Sequence, residues 1–165
     1  MRQNCWFSKL VVSCILVGSY FFFPKYGFTS FNPTHPTDIL SHILYPLSHA
    51  NIWHLAANIL CLWMLRCPLH ITATFVCAVL CSFLPCPLLP LYGESDALTM
   101  GFSGVLFAMV GISWGKISRF KDMIRRNWWV LIVPAFLPHI NFLIHLYCLL
   151  AGYCYGLCVR KYVTS

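Results

Sequence analysis

An all-α membrane protein, a compact bundle of six transmembrane helices, is the fold class this sequence predicts. Three observations predict it. The 165 residues are 59% hydrophobic and only 9% charged, whereas a soluble domain carries about 25% charged residues. So few charges cannot cover a globular surface, and lipid is the natural solvent. The uncharged stretches divide into six runs, and the basic residues gather between alternate runs, as the positive-inside rule requires of a chain that crosses six times.

A spanning helix needs about 20 apolar residues to cross about 30 Å of hydrocarbon. The first run, about Phe7 to Phe23, begins like a signal peptide behind Arg2 and Lys9. It has no small-residue cleavage site after Phe23, so a retained helix is expected. The second covers about Leu47 to Leu65. The third covers about Leu69 to Leu91, and Pro85, Pro87 and Pro90 should bend it or end it early. The fourth runs from about Leu98 to Gly115. The fifth, Trp128 to Leu137, is short and interrupted by Pro134. The sixth runs from Asn141 to Val159.

With six crossings Arg2, Lys9, Arg66, Lys116, Arg119, Lys121, Arg125, Arg126, Arg160 and Lys161 share one side, leaving Lys25 on the other. Asp38, Glu94 and Asp96 fall opposite the basic side. Both termini are therefore expected in the cytoplasm. The net charge of +7 reads as membrane topology and not as a nucleic-acid surface. One domain over residues 1–165 is expected, with no internal repeat, and its compactness suggests a bacterial plasma membrane. Of ten cysteines, Cys14, Cys61, Cys77, Cys81, Cys148, Cys154 and Cys158 lie inside apolar runs and no CxxC pair occurs. Such thiols behave as small apolar residues. No HExxH is present, and no metal or cofactor is expected.

Polar groups within a bilayer are costly unless they face the protein interior, so each is a functional candidate. The second run carries His49, Asn51, His54 and Asn58, the fourth contains Gly101-Phe102-Ser103-Gly104, and the sixth contains Asn141 and His145. Even-numbered helices all run from outside to inside, so His54, Ser103 and His145 share one depth near the outer ends. His54 and Asn58, four apart, stack on one face. Gly104, Ala108, Gly111 and Gly115 form a small-residue stripe on the fourth helix, and Gly152 and Gly156 form a GxxxG on the sixth. Small residues let helices approach closely in lipid. Packing along these stripes would bring Ser103 to His145, the contact that nucleophilic catalysis requires. His35, His42, His70 and His139 fall in loops or at span ends and receive no role.

These residues resemble the rhomboid intramembrane proteases: His49-x4-His54-x3-Asn58 on the second span, Gly101-Phe102-Ser103-Gly104 opening the fourth, and His145 with Gly152 and Gly156 on the sixth. The resemblance covers about Phe7 to Val159 in the family's order. It is not the GxSxG elbow of soluble hydrolases, because Val105 stands where the second glycine would be. It implies a Ser103–His145 dyad that cleaves transmembrane helices of membrane-protein substrates near the outer face. It also implies an oxyanion site made by His54, Asn58 and the Ser103 amide, and His49 bracing the loop after the first span. Phe107 matches the aromatic position packed on the catalytic imidazole. The sequence departs from the family in four places. The first loop lacks a Trp-Arg pair, the second helix lacks a Glu-xxx-Gly end, Cys148 replaces a frequent glycine, and the fifth helix is short.

Two other readings differ in class. A catalytically inactive rhomboid-like scaffold would bind transmembrane helices without cutting them. A haem-binding electron carrier would use histidines of the second and sixth spans as axial ligands.

Overall fold

The computed structural model describes residues 2–28, 36–65, 70–84, 98–116, 121 and 141–163. Its helices are α1 (Arg2–Phe22), α2 (Pro36–Leu44), α3 (Ile52–Met64), α4 (Ile71–Ser82), α5 (Ser103–Lys116) and α6 (Phe142–Val163), with a 3-10 turn at Tyr45–Leu47. The described residues include no strand beyond an isolated antiparallel bridge between Phe28 and Thr99.

By length and composition, two described helices can cross a membrane: α1, through Cys5–Phe22, and α6, through Phe142–Arg160. Helices α3 and α4 are apolar but have only 13 and 12 residues, about 20 and 18 Å at 1.5 Å per residue. Among the described residues, two long helices and shorter apolar ones stand where the six spans were expected. The expected fifth span, Trp128–Leu137, and the prolines at 85, 87 and 90 lie outside the described residues.

Local chemistry explains the shortening. The second helix starts at Ile52 and not at Leu47, because Asn51 has an extended backbone and its side chain accepts a hydrogen bond from the His54 amide at 2.9 Å. That is N-cap geometry, so Asn51 ends the helix instead of lining its polar face. The fourth helix starts at Ser103 and not at Leu98, because Gly101 has φ +118°, a conformation that glycine alone adopts freely. The third helix ends at Ser82, followed by Phe83 and before the prolines. Helix α2 has no counterpart in the sequence reading. It carries His42, fully buried, between the rings of Phe28 and Phe83 at 4.3 and 4.5 Å, with Nδ1 2.9 Å from the Ser82 hydroxyl.

Side-chain pairings give the helix directions. The Lys9 ammonium near the start of α1 donates to the Trp63 and Leu65 carbonyls at 2.9 and 2.6 Å, supplying donors to the open C-terminus of α3. At the other end of α1 the Ser19 hydroxyl donates to the Leu47 carbonyl at 2.8 Å. So α1 and α3 are antiparallel. His70, just before α4, lies 2.7 Å from the Lys116 ammonium at the end of α5, which makes α4 and α5 antiparallel too.

Helices α5 and α6 run parallel with their backbones touching. A Cβ on Gly152 would collide with the Ala108 carbonyl, and one on Gly156 would lie 2.5 Å from the Ile112 carbonyl oxygen. Gly111 and Gly115 are closed off in the same way by the α6 backbone at Leu149 and Tyr153. Gly104 differs from the expected stripe. Its open face is filled mainly by the Tyr45 hydroxyl, 2.8 Å from where a Cβ would sit, with the Cys148 thiol at 3.4 Å. The core centres here, on buried Leu16, Leu55, Leu62, Ala78, Val105, Ala108 and Cys148. None of the seven cysteines read as apolar fillers forms a disulfide, whereas Cys5 is disulfide-bonded.

Candidate active site

The N-terminal ends of α3, α5 and α6 converge on a cavity of about 190 Å³ lined by His54, Asn58, Ser103, Gly104, Phe107 and His145, among others. The backbone fold of residues 98–103 aims the serine. Thr99 exchanges two backbone hydrogen bonds with Phe28, at 3.1 and 2.7 Å, and the Gly101 amide donates to the Tyr45 carbonyl at 2.9 Å. The positive φ of Gly101 then reverses the chain. The Leu106 amide donates to the Phe102 carbonyl at 3.1 Å, which opens α5 with Ser103 in its first turn. An amide at that position has no acceptor within its own helix.

The Ser103 hydroxyl lies 2.7 Å from His145 Nε2, within reach for proton transfer. Phe107, one turn along α5, stacks on the His145 ring with centroids 4.5 Å apart and planes 13° from parallel. That contact opposes turning of the imidazole about its Cβ–Cγ bond. His145 is buried, and its Nδ1 has no hydrogen-bond partner among the described residues.

His54 and Asn58 approach from α3. Both lie beside Gly101, where a Cβ would sit 2.5 Å from His54 Cε1, 2.7 Å from its Nε2 and 3.5 Å from Asn58 Nδ2. The glycine therefore serves twice, in its backbone conformation and in the room it leaves for the His54 ring. Asn58 is 4% exposed, and its Nδ2 has no hydrogen-bond partner among the described residues. An unpaired buried amide N–H costs about 1–3 kcal/mol and is a donor waiting for an acceptor. His49 is buried with its ring edge toward His54, centroids 5.2 Å apart. Residues 29–35 of the loop it was expected to brace lie outside the described residues.

The structure thus gathers Ser103, His145, His54, Asn58, Gly104 and Phe107 around one cavity, with Gly101 against the His54 ring, His49 behind His54 and Gly152 lower on the α5–α6 contact. It adds Tyr45, Thr99 and Asn141 to the lining. Asn141 was legible only as a polar residue in an apolar run. Tyr45 lies before the second run, and Thr99 lies at the edge of the fourth, where the sequence reading did not single it out. No group of three or more His, Cys, Asp or Glu among the described residues is placed to hold a metal ion.

Comparison with known proteins adds one finding. The Rhomboid domain family matches residues 36–162, a range that holds every residue of the cavity. No curated protein matches the chain.

Proposed function

Because the chain belongs to the rhomboid family, whose apolar helices suggest an integral membrane protein, we propose that it is an intramembrane serine protease acting through Ser103 and His145. The observation that carries this reading is the 2.7 Å contact between the Ser103 hydroxyl and His145 Nε2, on a ring stacked against Phe107. A serine hydroxyl is inert until a base takes its proton. Here a neutral His145 accepts it through Nε2 as Oγ attacks the scissile carbonyl. The oxygen of the tetrahedral intermediate turns toward α3, where Asn58 Nδ2 and His54 donate together with the Ser103 amide. His145 returns the proton to the leaving amine, and water hydrolyses the acyl-enzyme.

In this reading no carboxylate stands behind the imidazole, because Asp122 falls on the basic side of the chain and Asp38, Glu94 and Asp96 fall in outer loops, and stacking on Phe107 orients the ring. An electron carrier would need His145 Nε2 for iron, and that nitrogen faces Ser103.

The substrates are transmembrane helices of other membrane proteins, cut near the outer face. The parallel run of α5 and α6 fits a further crossing between them, and the positive-inside pattern supports both termini in the cytoplasm. A fluorophosphonate probe applied to the purified protein tests the reading. Labelling at Ser103, lost in Ser103→Ala and His145→Ala, supports it together with cleavage of a model transmembrane substrate. A folded protein that resists the probe and cleaves nothing is an inactive rhomboid-like binder of helices.

A further inference from the structure

We infer that the hydrogen bond from the Asn141 side-chain amide to the Thr99 hydroxyl sets the distance between Ser103 and His145, which makes Thr99 and Asn141 positioning residues of the site. The inference rests on the reading of Ser103 and His145 as nucleophile and base.

The bond is 3.0 Å long and joins residues 42 apart in the chain, the same separation as the 2.7 Å Ser103–His145 contact. Thr99 precedes Ser103 by four residues, and Asn141 precedes His145 by four. Both contacts join the serine-bearing turn to the start of α6, with Thr99–Asn141 the upper rung at the α6 N-terminus. Both residues are buried, at 8% and 6% exposure, and both face the cavity.

Each end of the upper rung is anchored before the side chains meet. Thr99 is held by its two backbone bonds to Phe28, at 3.1 and 2.7 Å. Asn141 sits at the N-terminus of α6, its Oδ1 3.5 Å from the Ile144 amide. The anchors therefore belong to different parts of the molecule, and the amide–hydroxyl bond ties the serine-bearing turn to the histidine-bearing helix.

The lower contacts cannot do this alone. The backbone approach of α5 to α6 starts at Ala108 and Gly152, more than a turn below the dyad, and it acts as a pivot. Two helices held below a pivot can splay at their upper ends. A serine–histidine bond worth about 0.5–1.5 kcal/mol net is a weak restraint against that motion. A displacement of about 1 Å at a reacting pair can cost about 10²-fold in rate. A second contact, at the start of α6 and four residues before His145, removes this freedom.

The test uses the full chain in lipid vesicles and four variants: Thr99→Val, Thr99→Ser, Asn141→Ser and the Thr99→Val/Asn141→Ser pair. Serine at 141 keeps a helix-capping hydroxyl but is too short to reach Thr99. Thr99→Val and Asn141→Ser should each lower kcat and the rate of Ser103 labelling by about 10- to 100-fold, with KM unchanged. Thr99→Ser should restore the rate, and the pair should be no worse than either single variant, because both remove one bond.

The readout independent of turnover is the ¹⁵N resonance of His145 Nε2. In Thr99→Val it should move toward the position seen in Ser103→Ala. A Thr99→Val protein with native kcat and a native His145 resonance overturns the inference. Loss of activity that only follows loss of folded protein, with the folded fraction fully active, also overturns it. If Thr99→Val does not fold, Asn141→Ser decides by the same two measurements. A wild-type chain that neither labels nor cleaves defeats the protease reading, and the resonance comparison still decides the positioning role.

Discussion

Replacing Asn58 with alanine should damage catalysis while leaving stability almost untouched, and the two magnitudes come from the same atom. Asn58 is 4% exposed, with its Nδ2 lacking a hydrogen-bond partner among the described residues. Truncation removes a donor whose burial without a partner costs about 1–3 kcal/mol, which offsets the packing lost with the carboxamide. The unfolding free energy should therefore change by less than about 1 kcal/mol. In the transition state the same N–H faces a developing oxyanion. Losing one such donor costs about 10²- to 10³-fold in rate, or about 2.7–4 kcal/mol of barrier. The assay is kcat and KM on a transmembrane substrate in vesicles, beside thermal unfolding of the same preparation. Native kcat would refute the oxyanion role. A drop in unfolding temperature that accounts for the lost activity would make the amide a structural bond. His54→Ala should resemble Asn58→Ala, and the two should be non-additive because they serve one oxygen.

Ser103→Ala and His145→Ala should each abolish cleavage and leave folded protein, since α5 and α6 pack through their glycines below the dyad; near-normal turnover in either variant would remove the dyad. Phe107→Ala should lower kcat about 2- to 10-fold, the value of an aromatic contact of about 0.5–1.5 kcal/mol, and a full-rate variant would mean that the stacking does not orient the ring. Gly152→Leu should lose folded protein and activity together, because its first carbon already collides with the Ala108 carbonyl and overpacking costs about 1–3 kcal/mol or more; recovery of a stable, active protein would show that the helices do not meet there. Changing Asp38, Glu94, Asp96 and Asp122 singly to their amides should leave turnover within a few fold. Any one of them that inactivates like His145→Ala would reveal a carboxylate behind the imidazole.

Much of the site was legible in the sequence because its residues are chemically out of place there. Ser103, His145, His54 and Asn58 are polar groups in apolar runs, and lipid tolerates such groups only when they face the protein interior. The glycines at 111, 115, 152 and 156 were legible for the opposite reason, since missing side chains at helical spacing mark where backbones can touch. Helix ends were read less well. Apolar content extends the second run back to Leu47, yet the Asn51 cap starts the helix at Ile52, and a cap is a local hydrogen bond that hydropathy does not register. Helix α2 was missed because a nine-residue helix is far shorter than a span.

By itself, then, the sequence determined the helical class, the polar side chains that meet at the cavity and the glycine faces on which α5 and α6 close, because composition and helical period are properties of single segments. The tertiary structure alone decided which segments meet at the N-terminal end of that contact. Tyr45 receives the Gly101 amide, Gly104 faces the Tyr45 hydroxyl, and Asn141 reaches Thr99 across 42 residues of chain. Those pairings depend on how far each helix is rotated and shifted against its neighbours. A backbone carbonyl or a threonine hydroxyl has no period of its own to announce its partner, so packing had to place them first.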